Sequence, residues 1–139
     1  MTLNDALDAV DGAGTAEVPR EGGRAEVDVA DVDRLGVRVR RVRVERDADW
    51  DVSEQARALP ERLRALPERV EPSEVSPELG GAILRTAPRD YDGERYFEVN
   101  VGPRSAEVRR VKVTNGERAD DDFTITREQL GRLIDELEG

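Results

Sequence analysis

The stretch Val37-Arg38-Val39-Arg40-Arg41-Val42-Arg43-Val44 constrains this chain more than any other. Valine and arginine alternate along it, which is the period of a strand with one buried and one wet face. The alternation changes parity at the Arg40-Arg41 pair: Val37 and Val39 stand at odd positions, Val42 and Val44 at even ones. On a regular strand the two valine pairs would face opposite sides of the sheet. A β-bulge, one extra residue in the ladder, returns them to a single face and implies a local kink. Val108-Arg109-Arg110-Val111-Lys112-Val113 carries the same step, and the same bulge is expected there.

The other elements follow from spacing and turn residues. Thr2 caps a short helix with Leu3, Ala6, Leu7 and Val10 on one face, ended by Gly12 and Gly14. After a turn at Arg20 to Gly23, Ala25, Val27 and Val29 alternate with Glu26, Asp28 and Asp31, a half-buried strand with an acidic outer face. Antiparallel pairing with the arginine strand, across a turn near Asp33 to Gly36, sets acids opposite arginines. Asp51 or Ser53 caps a helix expected over 52–66, with Val52, Ala56, Leu59, Leu63 and Leu66 as its apolar stripe and an imperfection at Pro60. Val70 to Val75 reads as an extended edge interrupted by Pro72. Strands are expected at Ala82 to Ala87, Arg95 to Val101, Ala106 to Thr114 and Asp122 to Thr126, with turns at Asp92-Gly93, Gly102-Pro103 and Asn115-Gly116. Thr126 with Gln129 makes a capping box for a last helix that buries Leu130, Leu133, Ile134 and Leu137.

These elements describe a single α+β domain over residues 1–139: two layers, a mostly antiparallel sheet with helices packed on one face. Glu26-Val-Asp-Val29 lies on Glu98-Val-Asn-Val101, and Val39 to Val44 lies on Val108 to Val113. Each is followed by an acid, an aromatic and a capped helix, which marks residues 24–66 and 95–138 as candidate copies of a strand-strand-helix unit.

Composition narrows the function. Of the 139 residues 37% are apolar and 4% aromatic, against 39% charged. The core therefore rests on Val, Leu and Ala around Trp50, Tyr91, Tyr96, Phe97 and Phe123, and so thin a core favours a homodimer that buries more surface. A net charge of -10 argues against nucleic acid and anionic membranes and favours a protein partner, a basic one. Cysteine and histidine are both absent, which removes thiol nucleophiles, thiolate metal sites and the usual base near neutral pH. Met1 to Val10 has no basic stretch followed by a long apolar one, and no apolar run matches a membrane span, so the expected compartment is the cytoplasm.

Asp47-Ala-Asp-Trp-Asp51 resembles the opening of a calcium loop, but Val52 and Ala58 occupy the positions that need glycine and glutamate. Asp120-Asp121-Asp122 is a second acidic run ahead of a capped helix; helix dipoles favour such acids without a metal. The serines at 53, 73, 76 and 105 have no base nearby in sequence, and no phosphate-cradling loop is present. No catalytic residue, cofactor or metal is therefore expected. The candidate partner-binding residues are Arg38, Arg40, Arg41 and Arg43 on the arginine strand, with Tyr91 and Tyr96 flanking a hairpin.

The expected function is a small acidic, non-catalytic protein-binding or adaptor module. In size, acidity and element order the chain is similar to the small acidic dimeric chaperones of bacterial secretion systems. That resemblance implies a dimer that binds a partner segment. A metal-dependent regulator or hydrolase using the acidic loops is the competing class.

Overall fold

The computed structural model describes residues 1–76, 78, 80–87, 89, 90 and 94–139. In chain order the elements are α1 (Leu3–Ala9), β1 (Gly14–Arg20), β2 (Gly23–Val32), β3 (Gly36–Arg46), α2 (Val52–Arg62), β4 (Glu71–Ser76), β5 (Gly81–Arg85), β6 (Arg89–Asp90), β7 (Glu94–Gly102), β8 (Ser105–Thr114), β9 (Glu117–Asp121), β10 (Phe123–Thr126) and α3 (Arg127–Glu138). The protein is mixed α+β, with helices beside one large antiparallel sheet ordered β1-β2-β3-β8-β7-β5-β4. No helix among the described residues is long and apolar enough to cross a membrane.

The arginine strand is β3, and it lies in the middle of the sheet. It pairs with β2 on one side, and with β8 and β10 on the other. The expected bulge is present. Asp28 pairs with Arg41 and Val29 with Val39, so Arg40 is the residue the ladder skips; the next step, Asp31 to Arg38, skips Ala30 on β2. All four valines consequently face the core, at 1% exposure or less. They join rows that cross the sheet without interruption. Val27, Val42, Val108, Val99 and Leu84 are successive cross-strand partners, each wholly buried. Burying one such side chain contributes about 1.5–3 kcal/mol.

β8 departs from the expectation. Its register with β7, β3 and β9 is continuous from Ser105 to Thr114, and the second Arg-Arg step contains no bulge. The parity change is absorbed differently: Ala106 and Val108 face the core, while Val111 turns to the opposite face, where its partner is Tyr96. Both are buried there, at 2% and 7% exposure, with the Arg85 and Arg118 guanidiniums over the Tyr96 ring at 5.8 and 5.9 Å. Since the outer face offers Val111 cover, the strand has no need to kink. Arg110 is left on the core-facing side as a result.

β3 and β8 pair only over Arg41–Glu45 and Ser105–Arg109, then part. β9 continues along β8 and β10 along β3, so the chain reverses at Asp121 and Asp122 in the mouth of the fork. Asn115 and Gly116, with φ of 52° and 79°, make the type I′ turn that leads into β9.

Two further corrections concern local signals. α2 ends at Arg62, short of the expected 66, with Leu63 extended as its C-cap. The residue before a proline is disfavoured in helix, and Leu66 precedes Pro67, which weighs against a further turn, although Leu59 before Pro60 is accommodated within α2. Leu63 and Leu66 are buried nonetheless, through an irregular segment. β1 was not expected: Ala16 and Val18 are its only inward pair, and Pro19 is tolerated because β1 is an edge. The Asp92-Gly93 turn lies outside the described residues.

The apolar residues of α1, α2 and α3 form one cluster with the inward residues of the sheet. α1 packs on β1, α2 on β4, β5 and β7, and α3 on β3, β8 and β10. Asp51 caps α2 by accepting from the Glu54 N–H at 3.0 Å. Thr126 caps α3 by accepting from the Gln129 N–H at 3.1 Å, while the Gln129 side chain turns to Arg132 instead of closing the box.

Candidate functional site

A cleft of about 840 Å³ opens where the apolar rows stop. One wall is Arg64 to Pro67, the segment that follows α2. Glu136 of α3 fixes it by accepting from the Arg64 and Ala65 N–H groups at 2.8 and 2.7 Å. The other wall is β10 with Gln129 in the first turn of α3. Phe97 and Phe123 meet edge to face at the bottom, ring centroids 5.1 Å apart.

Arg95 and Arg110 line the cleft as neighbours on the core-facing side of β7 and β8, and the absent bulge in β8 is what puts Arg110 there. Its guanidinium lies 4.7 Å from the Phe97 centroid, a cation–π contact. Both arginines approach the same oxygen, Asp121 Oδ2, Arg95 at 3.2 Å and Arg110 at 3.6 Å. Arg95 Nε is shielded from solvent and, among the described residues, has no acceptor in hydrogen-bond geometry. One carboxylate thus serves two guanidiniums, and serves them imperfectly. Asp122, next in the chain, leans the other way, to Arg38 at 3.6 Å and Arg40 at 3.8 Å.

The residues singled out from sequence are dispersed. Arg40 lies 3.7 Å from Asp28, Arg43 3.0 Å from Glu45 and 3.3 Å from Glu107, and Arg41 3.9 Å from Glu107. Arg38, Arg40, Arg41 and Arg43 therefore each have a carboxylate of this chain beside them. Tyr96 is grouped with Arg85 and Arg118, apart from the β3 arginines. Tyr91 lies outside the described residues.

Comparison with family models, with curated proteins and with solved structures gives no match.

A second charged assembly lies on the outer face. Glu98 is 2% exposed, and three guanidiniums converge on it: Arg85 at 3.0 Å, Arg109 at 3.2 Å and Arg118 at 2.7 Å. Burial by itself pushes its carboxyl up; hydrogen bonds from Arg85, Arg109 and Asn100, with the Arg118 charge, outweigh this and hold it below the usual glutamate range.

The acidic runs are tied up locally. Asp49 pairs with Arg104, Asp51 caps α2, and Asp120 lies 3.6 Å from Arg109. Among the described residues no three acidic side chains stand together as metal ligands would. No spacing in the sequence marks Arg64, Arg95, Phe97 and Arg110 as one site, because a bulge in β8 would have turned Arg110 elsewhere. One signal was present: Tyr96-Phe97 puts large rings on both faces of one strand, so both faces there must be covered.

Proposed function

We propose that this protein is a non-catalytic binding module that receives a segment of a partner protein in the cleft between residues 64–67 and β10. The observation that carries this reading is the pairing of a two-guanidinium site with an aromatic floor at the open end of the sheet. Binding clefts typically combine an apolar base with a few fixed polar groups, in volumes of about 300–1,000 Å³. The polar groups that line it are guanidiniums, carboxylates, hydroxyls and one amide, a set suited to recognition. An adaptor or a secretion-chaperone-like dimer, located in the cytoplasm, is the biological form this reading takes. A single two-layer domain with its helices on one face goes with it. Within the sheet, the order β2-β3 beside β8-β7 accords with a duplicated unit spanning 24–66 and 95–138.

The test is amide chemical-shift mapping against pools of short random-sequence peptides. Shifts grouped at residues 64–67, 95–97, 110 and 121–129 are the expected result. Pools that leave all of these unmoved at millimolar peptide would end the proposal.

A further inference from the structure

The net charge of -10 points to a basic partner, but the cleft is locally the reverse of the whole chain. We infer that the cleft selects a partner segment carrying a carboxylate side chain beside large apolar ones, the carboxylate seating on Arg95 and Arg110. The inference rests on the binding-module reading and names the chemistry of its ligand.

The charge count inside the cleft carries it. Arg64, Arg95 and Arg110 line it, against Asp121 and Asp122. Lys112, the ladder partner of Arg95, adds a further cation on the same side of the sheet. Asp122 is engaged by Arg38 and Arg40 of β3 and is not available to Arg95 or Arg110 as a close partner. Among the described residues Asp121 is the carboxylate that remains for those two, through one oxygen. A second carboxylate entering the cleft supplies the acceptors that this oxygen cannot, and charge-assisted hydrogen bonds to guanidinium are the strong ones. The geometry resembles a site in which a residue of the chain holds part of a ligand's place.

The surrounding acidity does not oppose this. Charges more than about 8 Å away are largely screened at physiological ionic strength, whereas groups in contact are screened far less. A basic segment, in contrast, would bring its cations against Arg95 and Arg110 at close range, and like-charge juxtaposition of that kind discriminates strongly. The apolar companion is required by the floor: Arg110 already lies on Phe97, so a ring or aliphatic side chain entering beside the carboxylate meets Phe97, Phe123 and Pro67.

The experiment uses three fluorescent peptide pools of equal apolar content, one acid-rich, one neutral and one base-rich, titrated into the full chain. The acid-rich pool is expected to bind about tenfold more tightly than the base-rich pool. Arg95→Gln and Arg110→Gln should each weaken the acid-rich pool severalfold and leave the neutral pool unchanged, while Arg24→Gln on the outer face changes neither. Asp121→Asn is the decisive variant. Removing the competing carboxylate should tighten acid-rich binding severalfold, the opposite of what damage to a purely structural ion pair would do; thermal unfolding checks that each variant is folded. A preference for the base-rich pool, no preference, or weaker binding by Asp121→Asn overturns the inference while leaving a binding module standing. Failure of every pool to bind overturns both.

Discussion

Val39 and Val42 stand three positions apart on one strand, yet both are wholly buried on the same face of the sheet. Arg40 makes this possible by occupying a place in β3 that has no partner in β2. Deleting Arg40 leaves Val37-Arg38-Val39-Arg41-Val42-Arg43-Val44, a strict alternation that keeps all four valines on one face with no bulge, and it makes the step from Asp28–Arg41 to Val29–Val39 regular. The variant is therefore expected to stay within about 1 kcal/mol of the parent. Urea denaturation measures it. A loss of about 3–6 kcal/mol, the burial of two valines, would show that the bulge does more than restore the facing.

Glu98 links acid sensitivity to the outer face. Its folded pKa lies below the ordinary value, so it contributes stability that is complete above the unfolded-state pKa and lost as pH falls through the folded one. Glu98→Gln keeps the shape and removes the charge. At neutral pH the loss should be about 1–3 kcal/mol, because the three arginines remain partly hydrated. The deficit should shrink as pH drops below the glutamate range, until parent and variant denaturation curves converge. A deficit that stays constant into acid would contradict the assignment.

Two glycines separate backbone conformation from crowding. At Gly116, φ is +79° and an added Cβ meets nothing within 4 Å, so Gly116→Ala should cost only the left-handed backbone term, about 1 kcal/mol. At Gly23 a Cβ would sit 1.9 Å from the Glu45 carbonyl oxygen, an overlap that only a shift of the β2–β3 backbone relieves. Gly23→Ala should therefore be the more damaging of the two in thermal unfolding. The reverse order would mean that the approach of these strands is looser than described.

Arg62 joins the ends of α2 and α3. Its Nε donates to the Glu136 carbonyl at 2.7 Å and its Nη2 to Gln55 at 2.7 Å, while burial lowers its pKa from the usual arginine value. Arg62→Met preserves the stem and deletes both hydrogen bonds, for an expected loss of about 1–2 kcal/mol. Since Glu136 also holds the Arg64 and Ala65 N–H groups, these two amides should exchange faster with solvent in the variant. Unchanged exchange at Arg64 and Ala65 would sever the proposed link between Arg62 and the cleft wall.

Much of the fold was legible because its signals are local. The Thr2, Asp51 and Thr126 caps, the Asn115-Gly116 turn and the Arg40 bulge each depend on a few adjacent residues. The end of α2 was not: the leucine period continues to Leu66, whereas the helix stops at Arg62. β1 was not, since seven residues with two inward side chains become a strand only when β2 provides a ladder.

Alternating valines and arginines are written into the chain, and with them the need to resolve each Arg-Arg step by a bulge or by a change of face. Which solution each strand takes was decided by the tertiary structure, through what covers the outer face. Beside β3 that face is charged and wet, so the valines must return inward and the strand bulges. Beside β8 it holds Tyr96 under two guanidiniums, so Val111 is buried without a kink. The convergence of Arg95, Arg110 and Asp121 follows from that choice. The three consecutive strands β7, β8 and β9 have to be paired in register before these side chains share a face, and that register is a property of the folded sheet.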